Sequence, residues 1–177
     1  MTDPIKVKRI TRICQLPWKP VGRILDPFAG EKKWWLGSDI IPIFSDLNPQ
    51  RLDVIQADAA HLPFPDHNFD QVWADPPHII KQGFGKSNPM YIRFGTYKTR
   101  TDCNEKWTAW AKEFARLSPW LCLKTIDGGN PIWCVTAADL QPFHNIWHLE
   151  ETVRTKTSPG WSKAFTLYTR WSRRANP

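Results

Sequence analysis

The sequence predicts an α/β fold: a doubly wound, mostly parallel sheet with reduced helices and a C-terminal antiparallel hairpin. Three observations carry this. Several short apolar runs in the first half each end in an aspartate, an amphipathic helix follows, and two β-rich segments near the C-terminus flank Ser158-Pro159-Gly160. Short continuous apolar runs are how strands buried on both faces read, and a turn between alternating segments marks a hairpin.

In chain order, residues 1–20 are basic, with Pro17 and Pro20 around Trp18, and read as a leading strand or arm. VGRILD (21–26) is the first regular run, closed by Asp26-Pro27. IIPIFSD (40–46) is the second, closed by Asp46 and the breaker Asn48-Pro49. DVIQAD (53–58) and FDQVWAD (69–75) follow, closed by Asp58 and by Asp75-Pro76-Pro77. A parallel crossover normally takes about a dozen or more residues and a helix. The stretch from Asp26 to Asp46 must hold the crossover and the whole second strand, so that helix is expected to be stunted or replaced by a turn around Trp34 and Trp35.

Residues 78–103 show neither period and read as a long binding loop. NEKWTAWAKEFARL (104–117) places Trp107, Trp110, Ala111, Phe114 and Leu117 on one helical face, with Asn104 as expected N-cap and Pro119 as stop. GNPIWCVTA (129–137) is expected to be a fifth strand. WHLEETVRTK (147–156) and SKAFTLYTRW (162–171) form the predicted hairpin.

Composition narrows the function classes. A chain of 177 residues is the size of one domain, so a single domain over 1–177 is expected. The net charge of +7 favours an anionic partner, nucleic acid before membrane. No apolar run reaches the roughly 20 residues that span a bilayer, and the charged N-terminus lacks a secretory h-region. A soluble, cytoplasmic protein with reduced cysteines is therefore expected. Cys14, Cys103, Cys122 and Cys134 form no Cys-x-x-Cys pair, and His144 and His148 lack the cysteine half of a zinc site, so no metal is expected. The 11 tryptophans exceed ordinary usage, and composition does not say whether they stack on each other or on a ligand.

The carboxylate ends of strands line the ligand crevice of an open α/β sheet. Asp26, Asp46, Asp58 and Asp75 would supply acceptors for ribose hydroxyls and an adenine amine, and Gly30 a close backbone approach. Asp-Pro-Phe-Ala-Gly (26–30), Asp-Leu-Asn-Pro (46–49), Asp-Ala-Ala-His-Leu-Pro-Phe-Pro-Asp (58–66) and Asp-Pro-Pro-His (75–78) resemble class I S-adenosylmethionine-dependent methyltransferases. Within that class they resemble the amino-methyltransferases of nucleic-acid bases. The resemblance covers residues 21–80 by motif and the remainder by order of elements.

The resemblance implies a Rossmann-like methyltransferase fold and S-adenosyl-L-methionine as cofactor. Asp26, Pro27, Phe28, Ala29 and Gly30 would line its methionine portion. Asp46 would accept the ribose hydroxyls, with Leu47 also lining the cofactor site, and Asp58 the adenine amine, with Ala59 beside the ring. Asp75 and the Pro76 carbonyl would accept the two N–H groups of the target amine, with Pro77 and His78 completing the catalytic tetrad. The family usually has Tyr, Trp or Phe at the position of His78, where the ring stacks on the base. Glu31-Lys32-Lys33 stands where a second glycine is usual, so Lys32 or Lys33 is expected to hold the cofactor's carboxylate.

Cations interleaved with rings suit a flipped or single-stranded base. Lys81, Lys86, Tyr91, Arg93 and Tyr97 of the 78–103 loop are the expected substrate contacts. The implied function is N-methylation of an exocyclic base amine in DNA or RNA, with a recognition subunit or homodimer as candidate partner. The alternatives are a methyltransferase for a protein amide or small-molecule amine, and a non-catalytic methyltransferase-like binding subunit.

Overall fold

The computed structural model describes residues 6–7, 16–78, 80, 97–127, 135, 137–156 and 165–174. Its strands are β1 (Lys6–Val7), β2 (Ile24–Asp26), β3 (Ile43–Asp46), β4 (Ile55–Gln56), β5 (Gln71–Ala74), β6 (Trp120–Asp127), β7 (Trp147–Lys156) and β8 (Phe165–Arg173). The helices among the described residues are α1 (Arg100–Leu117) and the single turn α2 (Gln141–His144). The strands form one mixed sheet in the order β1-β7-β8-β6-β5-β2-β3-β4. Every neighbouring pair is parallel except those made by β8, which runs antiparallel to both β6 and β7. From β2 the chain winds outward through β3 and β4, then returns to the other side of β2 as β5. The C-terminal ends of β2 and β5 therefore flank the point where the winding reverses, which is where such sheets open a crevice.

Two elements differ from expectation. Helix α1 starts four residues before Asn104. Thr99 is its N-cap, its hydroxyl accepting from the Asp102 amide at 3.1 Å while an Asp102 carboxylate oxygen accepts from the Lys98 amide at 2.8 Å. Cys103, fully buried, extends the apolar face by one more turn. Second, the strand after α1 is β6, immediately past Pro119, a segment given no strand by the sequence reading. Most of 129–137, where a fifth strand is expected, lies outside the described residues, and Ala137 itself begins a 3-10 turn. Within residues 1–20, expected as a leading strand or arm, Lys6–Val7 form β1, a short parallel strand beyond the hairpin.

The predicted hairpin is present, with β7 and β8 paired from Trp147↔Arg173 to Lys156↔Phe165 and an irregularity between Leu149 and Glu151. The crossover from β2 to β3 is, as expected, a 3-10 turn (Lys33–Trp35) in place of a helix.

Strand alternation divides the core. Leu25, Val72, Ala74, Leu121 and Leu123 face α1, where Trp107, Trp110, Ala111, Phe114 and Leu117 bury the predicted helical stripe. Ile24, Phe44, Trp73 and Cys122 face the other way, and among the described residues no α-helix joins them there. That second layer is built from Trp35 and Val54, with Trp18, Trp34 and Ile40 packed at its margin. Trp34 and Trp35 each meet Trp73 edge-on, with ring centroids 5.4 Å apart. Part of the tryptophan excess thus does the work of a missing helix: large flat side chains cover a sheet face that the short crossover leaves bare.

Candidate active site at the carboxyl ends of the central strands

Asp26 ends β2 and is only 2 % exposed. One carboxylate oxygen accepts from the Phe28 amide at 3.0 Å and the other from the Trp35 indole at 2.8 Å. Burial pushes its pKa up to about 7. The hydrogen bonds from Trp35 and Phe28 oppose the rise, and the negative charges of Asp75 and Asp46 add to it. The turn that follows is tight, with Gly30 in the left-handed region at φ 46°. Phe28 leans on α1, its ring 4.8 Å from Trp110 and 6.3 Å from Phe114. Ala29 is buried on the second face.

Asp46 ends β3 and ties that strand to the glycine turn. Its carboxylate accepts from the Gly30 and Asn48 amides, each at 2.9 Å, and the Ala29 amide donates to the Ser45 carbonyl at 3.1 Å. Leu47 beside it is 60 % exposed. Asp58 closes its own turn, accepting from the Ala60 amide at 2.9 Å, with Ala59 buried behind it. The segment after Asp58 is anchored to α1. Arg116 donates to the Leu62 and Phe64 carbonyls, and the Leu62 amide donates to Glu113 at 2.8 Å.

Asp75 follows β5. Ala74 is paired with Leu123, so Asp75 and Lys124 are the next residues of two adjacent parallel strands. Lys124 donates to one oxygen of Asp75, and the Nε2 of His78 lies 2.9 Å from the other. Burial alone would raise the Asp75 pKa. The Lys124 ammonium and the contact with His78 outweigh it and hold the carboxyl well below the ordinary range. Two acidic strand ends a short distance apart are therefore driven in opposite directions, Asp26 towards the acid and Asp75 firmly to the anion, a separation typical of functional sites. Lys124 also lies over the Trp34 ring, 5.7 Å from its centroid.

Sequence reasoning missed Lys124. Its only signal in the sequence is a lone cation inside an apolar run, WLCLKTI (120–126). One other expectation needs correction: Tyr97, expected at the substrate, is 1 % exposed and its hydroxyl accepts from the Trp107 indole at 2.6 Å, so it packs in the core against α1. Of Lys32 and Lys33, expected to hold the cofactor's carboxylate, Lys32 pairs with the exposed Asp53 at 2.5 Å. Lys81, Lys86, Tyr91 and Arg93 lie outside the described residues. Pro76 and Pro77 join Asp75 to His78, whose carbonyl accepts from the Val135 amide at 2.9 Å. No group of three or more metal-ligating side chains occurs among the described residues, and no helix among them is long and apolar enough to cross a membrane.

No protein-family model and no curated protein matches the chain. Solved structures do. An S-adenosylmethionine-dependent methyltransferase from Thermotoga maritima is 12 % identical, covering 88 % of this chain and 84 % of that one at a TM-score of 0.54. The methyltransferase solved in complex with the Haloferax volcanii activator Trm112 is 13 % identical, covering 93 % and 87 % at 0.53. Magnesium protoporphyrin IX methyltransferase from Synechocystis PCC 6803, solved with S-adenosylmethionine bound, is 10 % identical, covering 88 % and 71 % at 0.52. At such identities the likeness is one of fold: the chain has the Rossmann-like fold of S-adenosylmethionine-dependent methyltransferases.

Proposed function

We propose that this protein is an S-adenosylmethionine-dependent N-methyltransferase acting on an exocyclic amine of a nucleic-acid base. The observation that carries the reading is the convergence of Asp26, the Gly30 turn, Asp46 and Asp75 at the reversal point of a methyltransferase-type sheet. In this reading S-adenosylmethionine is the cofactor and supplies an electrophilic methyl on a sulfonium. Asp46 accepts the ribose hydroxyls, exchanging its contact with the Gly30 amide for them or sharing it. Asp58 and Ala59 border the adenine, and the turn from Asp26 to Gly30 lines the methionine portion, with Asp26 beside the cofactor's ammonium.

The target amine is a weak nucleophile because its lone pair is delocalised into the ring. Acceptors aimed at its hydrogens turn that lone pair towards the methyl, so positioning supplies most of the rate. Asp75 and the Pro76 carbonyl are those acceptors. A carboxylate has about four lone-pair sites, so Asp75 can serve the amine while keeping Lys124 and His78. The net charge of +7 and the basic, aromatic 78–103 segment support a phosphate-bearing substrate. A partner subunit for recognition is part of the proposal, and the structural neighbour solved with an activator protein supports it.

Labelled methyl transfer to separate DNA, tRNA and rRNA pools, followed by nucleoside mass analysis, tests the reading. An N-methylated adenosine, cytidine or guanosine from one pool is the expected product. Transfer only to a protein amide or a free amine, with all three pools blank, would overturn the nucleic-acid assignment.

A further inference from the structure

The contacts of His78 deepen the reading just given, on which this inference rests. An ionised carboxylate can only accept hydrogen bonds. Asp75 is held as the anion by Lys124 on the neighbouring strand, and the Nε2 of His78 is 2.9 Å from its free oxygen. Nε2 therefore carries the proton, and in the neutral imidazole Nδ1 carries the lone pair. That Nδ1 is buried and has no hydrogen-bond partner among the described residues. The ring itself is 16 % exposed and its backbone is held by the Val135 amide. A nitrogen that is oriented, buried and without a hydrogen-bond partner among the described residues is the arrangement a general base requires, whereas a ring placed only to stack on a base needs no carboxylate behind it.

We propose that His78 is the general base of methyl transfer, with Asp75 and Lys124 as its positioning residues. In the step, the acceptor nitrogen forms a bond to the methyl carbon as the sulfur–methyl bond breaks. The bonding pair returns to sulfur, which becomes a neutral thioether. The proton lost by the nitrogen leaves its contact with the Pro76 carbonyl and moves to Nδ1 of His78, and the imidazolium so formed is paired with Asp75. Lys124 prevents Asp75 from taking that proton itself, since it keeps the carboxyl strongly acidic. Among the described residues, the charged groups acting on this relay are Asp75 and Lys124, with Asp26 acting in turn on Asp75.

Two measurements test this. Nitrogen NMR of the wild-type protein should find His78 with its proton on Nε2 and a lone pair on Nδ1, and a proton on Nδ1 would overturn the proposal without reference to activity. Labelled methyl transfer to the tRNA and single-stranded DNA pools should fall about 100-fold or more in His78→Ala, with S-adenosylmethionine affinity unchanged, and added imidazole should restore at least part of the rate. His78→Phe keeps a ring that can stack, so wild-type turnover in that variant would also overturn the proposal. No transfer by the wild-type chain, with the expected tautomer in place, would overturn the functional reading and the proton's destination with it.

Discussion

Asp75→Ala is expected to lower methyl transfer by about a thousandfold or more while leaving S-adenosylmethionine affinity within about threefold of wild type. The side chain has three tasks that the variant removes together. In the proposed reaction it would accept from the target amine; it also contacts His78 and balances Lys124. Losses of groups that position a nucleophile and handle its proton typically multiply in this range. Cofactor affinity is spared because the groups assigned to the cofactor hang on β2, β3 and the turn after β4. Single-turnover transfer and calorimetry on the same preparation separate the two effects. Retained turnover would remove Asp75 from the chemistry. Parallel loss of cofactor binding would place it in the cofactor pocket instead.

The second large effect is on stability against pH. The folded protein keeps a proton on Asp26 up to about pH 7, whereas an ordinary aspartate releases it near 3.8. Between those values the unfolded chain is already ionised at this position and the folded chain is not. Folding stability contributed by Asp26 is therefore complete below about pH 4 and is lost as pH rises towards 7, by up to about 4 kcal/mol. Denaturant unfolding of wild type and Asp26→Asn from pH 4.5 to 8 checks it. The wild type should lose stability relative to the variant across that window, and parallel curves would contradict a buried, protonated Asp26. A cofactor ammonium beside Asp26 would favour the anion, so cofactor binding near pH 6 should release a proton, readable as a buffer-dependent binding heat.

Much of the sheet was legible because burial on both faces forces short apolar runs in β2, β3 and β5, closed by Asp26, Asp46 and Asp75, whereas the run before Asp58 forms only the edge strand β4, whose two residues are exposed. The face of α1 was legible for the same reason, as Trp107, Trp110, Phe114 and Leu117 recur with the helical period. What escaped was local or non-periodic. The start of α1 depends on a cap formed by Thr99 and Asp102 in a stretch otherwise lacking pattern. Strand β6 escaped because Lys124 and Thr125 interrupt its apolar run. Thr125 is buried between neighbouring strands, and Lys124 emerges at the strand's functional end to meet Asp75. The residue that spoiled the pattern is the one that reaches the site. The pairing of Lys32 with Asp53 links positions far apart in sequence, and no spacing rule announces it.

The tryptophans show a different kind of limit. Composition registers their excess, but only the sheet's second face explains it. There Trp34, Trp35 and Trp73 fill the layer left open when the β2–β3 crossover shrinks to a single 3-10 turn. The same packing shapes the site, because the Trp35 indole is the hydrogen-bond donor that Asp26 keeps inside the fold.

The central claim is that the carboxylate-ended strands hold S-adenosylmethionine, and calorimetric titration of the purified chain with that cofactor tests it most directly. Saturable binding at one site is expected, weakened about tenfold or more by Asp46→Ala, as when hydrogen bonds from ribose hydroxyls to a charged acceptor are lost. No binding at millimolar cofactor, or binding indifferent to Asp46→Ala, would contradict it.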